Sequence, residues 1–211
     1  MARITEGPMG NIRGKVGNLV VGKWNKTTTV RSKGAPSSKP KTQSQLEQQA
    51  KLSVAVQFMR SMKALLSQSF LYHPGHMTGY NAAVRYLLKN AIVGEYPNYT
   101  VQYNRVLVSR GDLLHEGNAN AAAAPGQVTF TWTYEPTDVL VKPNDLAILV
   151  VYCEALNKCV FTVSGAQRSA GTASLAVTRF RGEEVHTWLA FISANGKDTS
   201  DSVYTGKLTV S

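Results

Sequence analysis

The chain has 211 residues, 43% of them apolar and 17% charged, and its formal net charge is +10. This length allows one ordinary domain with an extension, or two small domains. No apolar run is long enough for a transmembrane helix, and Met1–Lys15 lacks the apolar core and cleavage site of a signal peptide. We therefore expect synthesis in the cytoplasm, no signal peptide and no membrane partner.

The positive charge is concentrated near the amino terminus. Residues 1–63 contain twelve Lys or Arg and two acids, whereas residues 64–211 contain eleven of each. A solvated basic tail is the simpler interpretation of this asymmetry. A nucleic acid or an acidic protein as partner is the alternative.

Residues 1–41 form a basic arm with little apolar mass. Within it, Lys15–Trp24 and Thr27–Ser32 are β-branched enough to be strands, with Asn25-Lys26 as the turn. The sequence thus predicts a two-stranded ribbon, which is marginally stable in water and must pack against something else. The expected contacts with a partner protein are Val16, Leu19, Val21, Trp24 and Val30.

The same ribbon offers cations to a phosphate backbone. The candidate contacts are Arg13, Lys15, Lys23, Lys26, Arg31 and Lys33. A β-ribbon can enter a major groove, and cations alone give salt-sensitive binding. The linker Lys33–Lys41, with Pro36 and Pro40, favours an extended chain of about 25–30 Å, which reaches a neighbouring subunit. Clasping a neighbour and contacting nucleic acid are both hypotheses for the arm.

Two helices are predicted after the arm. Capping-box patterns such as Ser44–Glu47 precede an apolar stripe that recurs every four residues, which predicts a helix over 43–69. Pro74-Gly75 is expected to form the turn after it. A second helix should begin near Thr78 and end at Gly94. The two helices would form an antiparallel hairpin.

From Tyr99 onward the apolar pattern has the period of β-strands. The candidate strands are 99–109, 127–135, 146–153, 159–164, 172–179, 185–193 and 202–210. His115–Gly126 is interpreted as a loop of small residues. Seven short strands are the number expected of an immunoglobulin-like β-sandwich. The predicted fold is therefore α+β: a β-ribbon arm over 1–41, a helical hairpin over 42–95 and an immunoglobulin-like sandwich over 96–211.

The histidines and acids do not form a convincing site. His73 and His76, with His115 or His186 as a third ligand, would make a weak zinc site, and an inter-helix turn explains the first pair more simply. His186 is expected to be a structural histidine within a strand, since nothing marks a nucleophile for it. Glu183-Glu184 is interpreted as a solvated pair in a turn.

Other motifs are equally weak. Cys153 and Cys159 flank a hairpin loop, where free thiols are expected and a bridge upon oxidation is the alternative. Gly10–Gly17 resembles a phosphate-binding loop but lacks the Lys-Ser/Thr ending and the flanking strand and helix. Arg110-Gly111-Asp112 is expected to be a turn. We therefore predict no enzyme activity, cofactor, metal or small-molecule substrate.

Several segments resemble an uncharacterised bacterial family of unknown function, common in Bacteroidota genomes and their phages. They are Gly14–Trp24, with the pattern G-K-V-G-x-x-V-x-G-x-W, and Met77–Ala83, Tyr96–Thr100 and Val106–Gly111. The resemblance covers nearly the whole chain and implies the same order of arm, helices and sandwich. It implies no activity and no functional residues.

These observations predict a structural protein. We expect a subunit of a larger assembly, such as a phage virion, whose arm engages neighbouring subunits. The alternative is a nucleic-acid-binding module that contacts phosphates through the basic arm.

Overall fold

The computed structural model describes residues 2–4, 14–24, 27–35, 39–71, 77–114, 118–136 and 141–211. Over these ranges the chain is α+β, with three α-helices and four antiparallel sheets. The predicted fold class is confirmed at this level. The chain divides into two compact units, Met1–Thr42 and Gln43–Ser211.

The first unit contains one sheet. Its strands are β1 (Ala2–Ile4), β2 (Gly14–Val16), β3 (Leu19–Trp24) and β4 (Thr27–Ser32), in the order β1-β4-β3-β2. The predicted second strand, Thr27–Ser32, is β4, and it pairs with β3 as expected. The predicted first strand, Lys15–Trp24, is instead divided into β2 and β3 because Gly17-Asn18 turns the chain, with Gly17 at a φ of 56° that suits glycine. The sheet therefore has four strands rather than two. The predicted turn at Asn25-Lys26 lies outside the described residues.

Three helices open the second unit: α1 (Gln43–Arg60), α2 (Lys63–Ser69) and α3 (Gly79–Asn90). The predicted continuous helix over 43–69 is interrupted after α1, where the Ser61 hydroxyl donates to the Phe58 carbonyl at 2.9 Å. Thr78 caps α3 by accepting a hydrogen bond from the Asn81 N–H at 3.3 Å. The predicted Pro74-Gly75 turn lies outside the described residues.

A hairpin follows α3 directly. Its strands are β5 (Ile92–Glu95) and β6 (Asn98–Val101), and a 3₁₀ turn covers Tyr103–Arg105. Helix α3 therefore ends before Gly94, whose φ of 101° and close approach to the Asn98 carbonyl leave no room for a side chain. The predicted strand over 99–109 is correspondingly too long, because the strand stops at Val101.

Seven further strands complete the fold. They are β7 (Asn120–Ala124), β8 (Gln127–Thr131), β9 (Leu146–Cys153), β10 (Lys158–Thr162), β11 (Thr172–Ala176), β12 (Glu184–Ile192) and β13 (Val203–Thr209). They form a three-stranded sheet β11-β8-β7 and a four-stranded sheet β10-β9-β12-β13. The interpretation of His115–Gly126 as a loop is wrong for the part that forms β7. Alanine has a low β propensity, but pairing with β8 holds this segment in an extended conformation.

Strands β9 and β12 are buried on both faces. On one face, Leu149 and Leu189 share a core with Phe130 of the three-stranded sheet. On the other face, Ile148 and Trp188 share a core with the three helices. Double-sided burial explains why β9 is a nearly continuous apolar run, and why β12 ends in one over residues 188–192, instead of alternating apolar and polar residues.

A buried seam of hydroxyl groups joins α2 to two distant segments. The hydroxyl seam consists of Ser69, Ser109, Thr199, Ser200 and Ser202. Ser69 Oγ donates to the Val108 carbonyl at 2.6 Å, and Ser109 Oγ donates to the Ser200 carbonyl at 2.7 Å. Thr199 Oγ1 donates to the Ser69 carbonyl at 3.1 Å. These bonds satisfy polar groups that would otherwise be costly to bury.

Candidate functional site

The register of the first sheet sorts its side chains into two faces. Residues directly opposite each other in an antiparallel pair lie on one face, and successive residues along a strand alternate. Val21 is opposite Val30, and Leu19 is opposite Val16. Because Leu19 and Val21 are two residues apart, all four side chains share one face. We call Val16, Leu19, Val21 and Val30 the apolar face.

Two residues of the apolar face are largely exposed. Val16 is 59% exposed and Leu19 is 50% exposed, while Val21 and Val30 are half-buried. Within residues 14–23 and 27–35 no side chain is buried, so this part of the sheet has no core. Full burial of such a side chain contributes about 1.5–3 kcal/mol, and the sheet obtains little of this stabilisation by itself.

The opposite face carries cations. Lys15 is opposite Val20, and Val20 is opposite Arg31, so the three residues form one row across three strands. We call Lys15, Val20 and Arg31 the cationic face. Neighbouring strands lie about 4.8 Å apart, which places the backbones of Lys15 and Arg31 about 10 Å apart.

The other residues that the sequence predicted as partner contacts are Lys23, Lys33, Trp24, Arg13 and Lys26. Lys23 lies on the same side as the apolar face, opposite Thr28. Lys33 follows β4, and its N–H donates to the Asn18 carbonyl at 2.7 Å. Trp24 pairs with Thr27 through the backbone. The side chain of Trp24, and the whole of Arg13 and Lys26, lie outside the part of the chain that the structure describes.

In the second unit, His186 is the centre of a buried aromatic cluster. Its ring stacks on Tyr103 with centroids 3.7 Å apart, and its Nδ1 lies 2.9 Å from the Tyr204 hydroxyl. Its Nε2 lies 3.9 Å from the Glu154 carboxylate. Burial lowers the pKa of His186, and Glu154 partly opposes this effect. A neutral ring can accept a hydrogen bond from Tyr204, which is the environment of a structural histidine.

The tyrosines of this cluster are also held neutral. Burial raises the pKa of Tyr152 to about 12, and its hydroxyl donates to Asn157 Oδ1 at 3.0 Å. Burial likewise raises the pKa of Tyr103, with the nearby Tyr152 and Glu154 adding to the effect. The members of the cluster come from separate segments at no fixed spacing. For that reason, nothing in the sequence could have identified the group.

A buried ion pair was also missed by the sequence analysis. Arg168 and Asp145 are 0% and 1% exposed, and Arg168 Nη1 donates to Asp145 Oδ2 at 3.3 Å. Arg168 Nη2 donates to the Leu114 carbonyl at 2.6 Å, and the guanidinium lies 4.2 Å from the centroid of the Phe191 ring. These contacts hold loops at one end of the sheets in place.

The family model described as "Family of unknown function (DUF6266)" matches residues 11–206. The chain belongs to this family. The match spans more than nine-tenths of the chain and confirms the predicted resemblance to an uncharacterised family. No curated protein matches the chain.

The two cysteines of the DUF6266 chain are free and lie on opposite faces of the four-stranded sheet. Cys153 belongs to the core shared with the three-stranded sheet, and Cys159 packs against the core shared with the helices. Cys153 is opposite Lys158, and Cys159 is opposite Tyr152. The alternative of a bridge between them is therefore wrong, because their side chains point apart. Burial raises the pKa of Cys159 to about 12.

The other motifs give no further site. Among the described residues no group of three or more His, Cys, Asp or Glu could hold a metal, and His73, His76 and His115 lie outside those residues. Gly111 is pressed against the Thr199 carbonyl, so the tripeptide around it is fixed to the protein. None of the helices in the described ranges combines the length and apolar character needed to cross a bilayer.

Proposed function

We propose that this DUF6266 protein is a structural subunit of a larger assembly, namely a bacteriophage virion, and has no enzymatic role. Its first sheet engages neighbouring subunits through the apolar face. One observation supports this proposal most directly. Val16 and Leu19 are exposed on a sheet that has no buried side chain within residues 14–23 and 27–35. A sheet with an uncovered apolar face gains stability when another protein covers it.

The architecture of the second unit is part of the same proposal. We propose that its three- and four-stranded sheets form an immunoglobulin-like sandwich. The two sheets contain seven strands and share a core. The chain changes sheet between β8 and β9, between β10 and β11, and between β11 and β12, which is typical of Greek-key sandwiches. Such a unit would be the rigid body of the subunit.

The association of the full chain tests the role of the first sheet. Sedimentation or light scattering over a range of concentrations should detect oligomers of the unmodified chain. Leu19→Asp should abolish them, because it puts a charge into the contact. Val20→Asp is the matched control, since it makes the same charge change one residue away on the cationic face. A monomer at every concentration would count against the proposal, as would equal effects of the two variants.

The viral part of the proposal has a separate test. Genes for portal, capsid or tail proteins should flank the gene, and mass spectrometry of purified particles should detect the protein. A position among genes of cellular metabolism, with no protein in any particle, would overturn the viral assignment.

Nucleic-acid binding is the second candidate function. It is favoured by the cationic face, where Lys15 and Arg31 flank Val20. Lys15→Gln with Arg31→Gln should weaken binding to any duplex. The plot of the logarithm of the binding constant against the logarithm of the salt concentration should become less steep by about two, since each cation neutralises about one phosphate. Lys158→Gln with Lys197→Gln is the matched control on the second unit. Binding that does not depend on salt would contradict this function.

A further inference from the structure

We infer that Asn195 is a site of spontaneous deamidation and that the fold of its loop controls the rate of this reaction. The inference is separate from the proposed function. Asn195 is exposed in the loop that follows β12, and it is the one asparagine in the sequence that is followed by glycine. An asparagine deamidates through the backbone nitrogen of the next residue, and glycine has no side chain to hinder that nitrogen. By sequence, Asn195 is therefore the most reactive asparagine of the chain.

The reaction needs water as its only co-reactant. The backbone nitrogen of Gly196 gives up its proton and bonds to Cγ of Asn195, and the bond from Cγ to Nδ2 breaks as that nitrogen takes up a proton and leaves as ammonia. Water then opens the resulting cyclic imide at either of its carbonyl groups. One opening gives aspartate, and the other gives isoaspartate, in which the main chain runs through Cγ. Both products carry a carboxylate where the neutral amide was.

In the folded chain, hydrogen bonds hold both reacting groups. The Gly196 N–H donates to the Ser193 carbonyl at 2.8 Å, so the attacking nitrogen is engaged. Oδ1 of Asn195 accepts from Ser193 Oγ at 2.6 Å and from the Lys197 N–H at 2.9 Å. Rotating the side chain or the peptide group to bring Cγ onto the nitrogen breaks these bonds, which costs free energy. The closed loop should therefore react more slowly than an open one.

Ser193 holds the two ends of the loop together. Its N–H donates to the Asp198 carbonyl at 2.9 Å, and its Oγ accepts from the Asp198 N–H at 3.0 Å. Ser193 is buried, so its hydroxyl is largely shielded from water. Ser193→Ala removes the side-chain bonds but leaves the backbone bond and the bridge between Ile192 and Thr199. The variant should open the loop more often while the rest of the unit stays folded.

Deamidation has a structural consequence beyond the loop. Isoaspartate lengthens the main chain by one carbon atom, which displaces Asp198 from its bonds with Ser193. Thr199 comes next in the chain and belongs to the hydroxyl seam, where its Oγ1 donates to the Ser69 carbonyl at 3.1 Å. The modification should therefore weaken the attachment of α2 to the seam and lower the stability of the second unit.

Peptide mapping by mass spectrometry tests the inference. The full chain is incubated at mildly alkaline pH, in buffer and in denaturing urea, and the aspartate and isoaspartate formed at position 195 are followed over time. We expect the reaction at Asn195 to be several-fold faster in urea. In buffer, Ser193→Ala should react several-fold faster than the unmodified chain, whereas in urea the two chains should react equally. Ser164→Ala, the same change in the loop after β10, is the matched control and should react like the unmodified chain.

Gly196→Ala is the control for the chemistry. In urea it should nearly stop the reaction, because its side chain hinders the attacking nitrogen and the strain of alanine at a φ of 70° is absent from an unfolded chain. Faster reaction at another asparagine in urea, or no effect of Gly196→Ala there, would overturn the site. Equal rates in buffer and in urea, or equal rates of Ser193→Ala and the unmodified chain in buffer, would overturn the control by the loop. If Ser193→Ala does not fold, the comparison of the unmodified chain in buffer and in urea still decides.

Discussion

Leu19 in β3 is 50% exposed, whereas Leu189 in β12 is fully buried, although both belong to paired antiparallel strands. Strand pairing satisfies the backbone in both units, yet the second unit also covers the side chains of its central strands on both faces. Burial of apolar surface is the main favourable term in folding. The second unit thus buries apolar side chains within itself, whereas the described part of the first sheet buries none, and this difference is the basis of the proposal that a partner covers the first sheet.

Two arginines give the largest expected contrast between the units. Arg168→Ala should lower the free energy of unfolding by about 3–5 kcal/mol, because it leaves Asp145 buried without its partner. Arg31→Ala, on the exposed end of β4, should change it by less than about 0.5 kcal/mol. Urea unfolding of both variants measures the difference. The double variant Asp145→Ala with Arg168→Ala should recover part of the loss, and no recovery would show that the ion pair is not its source.

Two leucines sharpen the same comparison with identical chemistry. Leu189→Ala should cost about 2–5 kcal/mol of stability, since it opens a cavity in a packed core. Leu19→Ala should cost the monomer less than about 0.5 kcal/mol and should act on association instead. Denaturation at low concentration and sedimentation at high concentration separate the two effects. A large loss of monomer stability in Leu19→Ala would mean that the apolar face is covered within its own chain.

Acid should affect the second unit alone. The pKa of His186 is lowered from 6.5 by burial, and the first 42 residues contain no histidine. The unfolded chain therefore binds a proton before the folded chain does, so stability is present above about pH 6.5 and is lost as the pH falls towards the lowered pKa. Melting temperatures between pH 7 and pH 5 should show this loss. His186→Asn should make the melting temperature depend less on pH over this range. An unchanged dependence would assign the loss of stability to another group.

The last prediction compares thiol reactivity in the two units, which reports the exposure of a side chain and involves no change in stability. Burial raises the pKa of Cys159 to about 12, so its thiol should react slowly with Ellman's reagent at pH 8. An introduced Leu19→Cys thiol should react at once, since its position is exposed. Denaturant should make the native thiols react as well, which serves as the control. Fast reaction of the native chain would contradict the low reactivity expected of buried Cys153 and half-buried Cys159.

Local patterns predicted the elements that local interactions determine. The start of α3 near Thr78 was predicted, and segments 146–153 and 185–193 were correctly identified as the strands β9 and β12. The predictions were wrong where pairing with a strand distant in sequence determines the conformation. The pairing of β1 with β4 spans the unit, and the alanines of β7 are extended because β8 lies beside them. No sequence window contains that information.

The candidate site was predictable to a similar extent. The β-branched and apolar residues of the arm were identified from composition, but their division between two faces was not. The division depends on the turn at Gly17-Asn18, which sets the register of β2 against β3. The partners of His186 and Arg168 were unpredictable, since they are brought together from separate segments by the completed sheets.

The hydroxyl seam has a consequence for synthesis on the ribosome. The Ser69 carbonyl accepts hydrogen bonds from Ser109 Oγ, the Arg110 N–H and Thr199 Oγ1, and the last of these donors lies 130 residues later in the chain. At translation rates of about 5–20 residues per second, that donor emerges on the order of ten seconds after α2 is made. During this interval the nascent helices expose apolar surface that the last strands will later cover. The emerging chain should consequently be a client of chaperones at least until β12 and β13 leave the exit tunnel.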